Sequence, residues 1–254
     1  MNATKVVWRN SLVFWRAWRS SMFLSVLTPV MFLSAMGLGL GSLVDPGAGA
    51  FGGAGYLAFF STGMLAANAM QSGTFAATYP VMSKITWQKN YEAMLATPLV
   101  VRDVFFGELS WIAITLAQQT IPFFLVMALL GVFDSPLALV SIPIAILVGL
   151  GFGAVTIALT ATLKTDEAYT WLFRFVVTPL FLLSGTFFPV DGLPSWGAEV
   201  ARLTPLYHGI ELVRQFTVAE VAFSSAILHL LYLIGFLALG VTLGIRNLTH
   251  RLVA

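Results

Sequence analysis

The stretch from Leu183 to Arg214, LSGTFFPVDGLPSWGAEVARLTPLYHGIELVR, is neither a plain membrane span nor a plain polar loop. Its apolar lead-in, Leu183 to Phe188, is broken by Pro189 and then by the turn-forming pair Asp191-Gly192. After Pro194 comes an amphipathic helical pattern, with Trp196, Val200 and Leu203 at i, i+4 and i+7. Thr204-Pro205 has the form of an N-cap followed by a proline at the first helical position. A second short helix is expected there, with Leu206, Ile210 and Val213 on one face and Glu211 and Arg214 elsewhere. Such chemistry suits the boundary between lipid and water.

Composition says what surrounds this stretch. Hydrophobic residues make up 58% of the 254 and charged residues 9%. So few charges cannot solvate the surface of a soluble domain of this size, so the chain belongs in a bilayer. There is no cysteine, which excludes disulfides, thiolate metal sites and a cysteine nucleophile.

Runs of about 20 apolar residues mark candidate spans. They run from Ser21 to about Leu43, Tyr56 to Ala77, Leu109 to Phe133, Leu137 to Leu163, Tyr169 to Phe188, and Val221 to Ile245. The expectation is therefore an all-α integral membrane protein with six transmembrane helices, residues 1–254 forming one membrane domain. Lys5, Arg9, Arg16, Arg19, Lys84, Lys89, Arg102, Lys164, Arg246 and Arg251 fall in the N-terminal segment, alternate loops or the C-terminal tail. The remaining loops hold Asp45 and Asp134 without Lys or Arg, then the 183–214 stretch with Arg202 and Arg214. This asymmetry predicts both termini in the cytoplasm and the 183–214 stretch facing outward.

Residues 1–20 are not a signal peptide by pattern. On a helical wheel Lys5, Arg9, Arg16 and Arg19 fall within an arc of roughly 80°, with Val7, Phe14 and Trp18 opposite. That predicts an interfacial helix with cations toward lipid phosphates. The long cytoplasmic loop, residues 78–108, contains a second amphipathic piece. Tyr91, Met94 and Leu95 form an apolar face beside Lys89, Asn90 and Glu92, and Thr97-Pro98 ends it. With nothing in this chain to cover it, such a helix reads as a docking element for another protein.

This layout resembles the transmembrane subunit of type-2 ABC exporters over nearly the whole chain. Two motifs carry the resemblance: SGTFFPVDGLPSW…LTPLYHGIELVR at 184–214 and YEAMLATPLVVRDVFFGEL at 91–109. The second is similar to the lipo-oligosaccharide-exporting branch, the nodulation-protein J type, and to drug exporters of the daunorubicin-resistance type. The resemblance implies an N-terminal interfacial helix, a cytoplasmic coupling helix, and two short re-entrant helices before the last span. It also implies a plasma-membrane location in a bacterium and a pathway between two permeases, in a homodimer or with a second permease subunit. A phosphate-binding loop GxxxxGK[ST] is absent, since Lys164-Thr165 is preceded by Leu163 rather than glycine. The chain is therefore expected to be no enzyme and to bind no cofactor itself. ATP and Mg are expected on a partner ABC ATPase, contacted through Tyr91, Glu92, Met94 and Leu95. Membrane lipids are partners on this reading, and nucleic acid is not.

Asn68 and Gln71 share a face of the second span, and Gln118 and Gln119 sit near the middle of the third. Such amides can line a substrate path or simply hydrogen-bond between helices. Phe187, Phe188, Pro189, Trp196 and Tyr207 are the candidates for an outer gate at the interface. Gly37-Gly41 and Gly149-Gly153 have GxxxG spacing, for which packing within the chain is the expected use. Pro122, Pro143 and Pro179 are expected to bend their spans. Arg174 is expected to snorkel or to pair with Asp166 or Glu167. His208, His229 and His250 are scattered without metal-ligand spacing, so metal is not expected. The competing function is an ion- or proton-coupled carrier, which would need an acidic group near the bilayer midplane. An intramembrane enzyme acting on lipid would need a nucleophile or metal constellation that these residues do not supply.

Overall fold

The computed structural model describes residues 3–16, 18–40, 55–133, 135–218 and 221–253, and every regular element among them is a helix. In order these are α1 (Ala3–Phe14), α2 (Trp18–Leu33, continued as a π-helix over Ser34–Leu40), α3 (Gly55–Ala76) and α4 (Tyr79–Met82, continued as a π-helix over Ser83–Trp87). Next come α5 (Asn90–Leu95), α6 (Val101–Leu129), a 3-10 turn at Pro136–Val140 and α7 (Ser141–Thr160). The chain ends with α8 (Glu167–Leu172), a π-helix over Phe173–Val177, α9 (Thr178–Leu183), α10 (Ser195–Arg202), α11 (Pro205–Thr217) and α12 (Phe223–Val253).

Among the described residues four helices are long and apolar enough to cross a membrane: Trp18–Met36, Val101–Leu129, Pro136–Thr160 and Phe223–Val253. The second expected span, α3, is a helix too, but a different kind. It is the central post, with 15 of its 22 residues buried, so protein rather than lipid surrounds it. That explains its tolerance of polar residues. Ser61 and Thr62 donate to the Ala58 carbonyl, and Thr74 donates to that of Met70, so none of these three buried hydroxyls is stranded.

Close approach of backbones sets the core. A Cβ built on Gly73 of α3 would fall on the backbone of Gly149 in α7, and Gly153 lies against the Gly73 carbonyl. The Gly149-Gly153 pair thus packs within the chain, as its spacing predicts; Gly41, and with it the end of the first span, lies outside the described residues. α12 closes on α7 from the far side, where Asn247 donates to the Ala158 carbonyl. Thr160 donates to the Ala77 carbonyl and receives the Tyr169 hydroxyl, tying α7, α3 and α8 at one end of the bundle.

The N-terminal helix differs from expectation. It breaks at Trp15-Arg16, and its buried face is Val6 and Asn10 rather than the side carrying Val7. The reason is α6. Gly107 leaves space for Val6, and Phe14 meets Trp111 edge to face at 5.7 Å. The wheel finds the polar arc but not this protein contact. The prolines act unequally. α6 runs through Pro122 unbroken, whereas Pro179 follows the π-helical turn of 173–177. A proline excludes the ordinary bond to residue i−4, so the ladder widens just before it; the Thr178 hydroxyl satisfies the Phe173 carbonyl at 2.8 Å. Arg174 is exposed and takes no part in the ion pairs among the described residues, so it pairs with neither Asp166 nor Glu167.

Candidate functional site: a polar groove between a buried ion pair and a clamped turn

The segment between α3 and α6 holds the densest polar chemistry. Pro80 starts α4, and Lys89 at φ +50° separates the π-helical turn from α5. That geometry turns Lys84 inward onto Glu108 of α6. The Lys84 Nζ lies 2.7 Å from Glu108 Oε2 and 2.8 Å from Oε1, with only 14% and 4% of the two side chains exposed. Asn10 of α1 completes the network, its Nδ2 donating to Glu108 at 3.2 Å and its Oδ1 accepting from Lys84 at 3.2 Å. A pair this buried is held by such extra bonds as much as by its own attraction.

α5 is anchored to the same network. Tyr91, expected on the outer face of this helix, is instead fully buried, and its hydroxyl closes no hydrogen bond. Burial, followed by the nearby Glu108 carboxylate, pushes its ionisation well above the usual tyrosine range, so it stays a neutral hydroxyl. Glu92 is exposed and pairs loosely with Lys89 at 3.8 Å, while Met94 and Leu95 are half-buried. Met94 also lines a groove of about 410 Å³ between α5 and α1, beside Lys5, Val6 and Arg9.

Above the ion pair opens a cavity of about 480 Å³ between α3 and α6. Lys84 and Glu108 form its floor; Asn68, Gln71, Ser72 and Gln119 supply its polar wall, and Phe75, Trp111 and Phe173 its aromatic one. Asn68, Ser72 and Gln119 also line an adjoining pocket of about 290 Å³ with Ser21, Ser25 and Thr28 of α2. Among the described residues the amides of Asn68, Gln71 and Gln119 make no hydrogen bond, so their donors and acceptors are available to something in the groove. Gln118 behaves differently: its amide donates to Ser21 at 2.9 Å and holds α2 to α6. Neutral amides and aromatic faces can bind polar, uncharged groups, but they perform no covalent chemistry. Among the described residues no group of three or more His, Cys, Asp or Glu could hold a metal.

The stretch 183–214 lies at the opposite end of α3. Gly185 takes φ +92°, a left-handed conformation that starts the turn without a Cβ clash. Arg214 locks it. One terminal guanidinium nitrogen donates to Glu211 at 2.8 Å; the second donates to the Gly185 carbonyl at 3.0 Å and the Phe59 carbonyl at 3.4 Å. The same group sits 3.9 Å over the Phe59 ring. Thr204 caps α11 through the Tyr207 amide, and Leu206, Ile210 and Val213 are all buried. Phe187 wedges between Phe60 and Phe181, with ring centroids 5.5 and 5.1 Å away. Phe188, immediately before Pro189, is exposed, and Tyr207 packs on Val190, Ala198 and Ala201. On α10 the apolar face points away from the protein: Trp196, Val200 and Leu203 are 72%, 60% and 71% exposed.

Two histidines that look scattered in sequence meet here. His208 Nδ1 lies 2.7 Å from His229 Nδ1, Tyr232 stacks on the His208 ring, and the Tyr232 hydroxyl donates to the Leu203 carbonyl. This joint between α11 and α12 has no spacing signal, because its partners lie 21 residues apart on different helices. The Lys84–Glu108 pair lacks a local signal for the same reason, its partners lying 24 residues apart.

The chain matches the ABC-2 type transporter family over residues 3–218. It is 34% identical over 209 residues to nodulation protein J of Rhizobium leguminosarum bv. trifolii, covering 82% of this chain and 78% of that one. The protein of the same name from Rhizobium meliloti (strain 1021) is 33% identical over 209 residues, with the same coverage of 82% and 78%. That of Bradyrhizobium diazoefficiens is 30% identical over 222 residues, 87% of this chain and 83% of its own.

Proposed function

Since the chain belongs to the ABC-2 type transporter family, we propose that it is the membrane-spanning permease of an ATP-driven exporter. On this reading it moves an amphiphilic substrate, a drug, glycolipid or lipo-oligosaccharide, out of the cytoplasm or the inner leaflet. The family match over residues 3–218 carries the proposal, because it takes in both the α5 segment and the 183–214 stretch. The similarity to nodulation protein J favours the lipo-oligosaccharide end of that range.

Six spans are counted by adding α3 and the α8–α9 unit to the four long apolar helices. Both termini lie in the cytoplasm of a bacterium, and α10 and α11 are re-entrant helices dipping into the outer leaflet of its plasma membrane. Labelling tests this sidedness. A cysteine at Ser195, in a chain with no other, is expected to react with an impermeant maleimide added to intact cells. Reaction only in inverted vesicles would overturn the topology.

A separate ABC ATPase supplies hydrolysis, with ATP and Mg bound there. It docks on Glu92, Met94 and Leu95, while the buried Tyr91 transmits its push to α6. A second permease, identical or not, completes the pathway. Asn68, Gln71 and Gln119 line that pathway and Gln118 positions α2 beside it. Phe187, Phe188, Pro189, Trp196 and Tyr207 form the outer gate, with Trp196 anchored in lipid. Met94→Asp puts a carboxylate at a half-buried apolar contact. It is expected to lower ATP-driven export about tenfold or more while leaving the amount of protein in the membrane unchanged; unimpaired export would remove α5 from the coupling role.

A further inference from the structure

A second pocket lies on the other side of Lys84, outside the amide-lined cavity. It has a volume of about 350 Å³ and sits between α1 and the π-helical turn at 83–87. The charged residues that line it are Arg9 and Lys84, both cations. Asn10 brings them together: its Oδ1 accepts from Arg9 at 3.3 Å and from Lys84 at 3.2 Å, and its Nδ2 is held by Glu108. Glu108 is itself almost fully buried behind Lys84 and contributes to the other cavity instead. Ser83 adds a hydroxyl, and Phe14 and Trp111 form an apolar wall.

We infer that this pocket binds the phosphate of an anionic glycerophospholipid, with the acyl chains leaving along α1. The Arg9 guanidinium offers parallel donors to a phosphate, while the Lys84 ammonium, its three donors taken by Glu108 and Asn10, fixes the Asn10 side chain against which Arg9 is held. The surroundings suit a lipid better than a free ion. Leu12, Val13, Trp8 and Trp15 of the same segment are exposed, giving chains an apolar surface and the headgroup zone its aromatic anchors. Basic pockets between helices at the membrane surface hold anionic headgroups, each cation adding to the attraction. The lipid thereby bridges α1 to the segment that carries α5. The inference rests on the proposal above only for which leaflet supplies the lipid.

Native mass spectrometry of the purified full chain, offered phosphatidylglycerol and phosphatidylcholine in equal amounts, tests it. One phosphatidylglycerol is expected to be retained per chain, about fivefold in preference to phosphatidylcholine. Arg9→Gln is expected to lower that retention about fivefold, Arg9→Lys to keep most of it, and Arg102→Gln, an exposed arginine of α6 outside the pocket, to leave it unchanged. Equal retention of the two lipids, or equal loss in Arg9→Gln and Arg102→Gln, would overturn the site. Full displacement by excess inorganic phosphate would overturn the lipid as its occupant. Neither ATP nor export enters the readout, so these failures would leave the permease proposal standing.

Discussion

Replacing Lys84 by methionine is expected to destabilise the protein by about 3–5 kcal/mol, the loss seen when one member of a buried ion pair is removed. Methionine preserves the volume and apolar stem of the lysine but strands Glu108, whose side chain is 4% exposed. Asn10 Nδ2 would remain as a donor to that carboxylate, which is too little to offset its desolvation. The double variant Lys84→Met/Glu108→Leu is expected to recover most of the loss, since an apolar pair of similar volume does without the charge altogether. Thermal unfolding in detergent reads both. At about 2–4 °C per kcal/mol for a chain of this length, the single variant is expected to unfold well over 5 °C lower. A single variant as stable as the parent would mean that Glu108 is not buried as described.

The second large effect concerns Arg214. Arg214→Met is expected to destabilise the 183–214 stretch by about 2–4 kcal/mol, through loss of charge-assisted bonds to Glu211 and two carbonyls. The side chains of Arg214 and Glu211 are 14% and 29% exposed, so water compensates only in part. The effect is local. Hydrogen exchange over residues 185–204 is expected to rise at least about tenfold, while α6 and α7 are unchanged. Exchange that is unchanged, or that rises evenly through the bundle, would deny Arg214 its role as the clamp between α11, α3 and the Gly185 turn.

Both residues show where sequence stops being informative. The 183–214 stretch was legible because its signals are local: the Pro189 break, the Thr204-Pro205 cap, and Leu206, Ile210 and Val213 on one helical face. The apolar runs were legible for the same reason, and the shift in boundaries at α6, which begins at Val101 rather than Leu109, reflects an amphipathic first turn continuous with the helix. Lys84 and Glu108 carry no such signal. They lie 24 residues apart in what reads as a polar loop, and only the left-handed turn at Lys89 and the packing of α1 on α6 bring them together. Tyr91 reads as part of an exposed apolar face because periodicity cannot say which protein surface covers it. The four amides look alike in sequence, yet Gln118 finds Ser21 and the others face the groove, a difference made by the placement of α2.

On the function proposed above, an ABC ATPase acting on α5 drives movement through this chain. The most direct test co-expresses the chain with an ABC ATPase from the same genome, purifies the assembly through a tag on the permease, and follows a fluorescent amphiphile in inverted vesicles. The ATPase is expected to co-purify, uptake to require hydrolysable ATP, and dissipation of ion gradients to leave uptake intact. Uptake that persists without ATP and collapses with the ion gradient would contradict it and identify a coupled carrier instead.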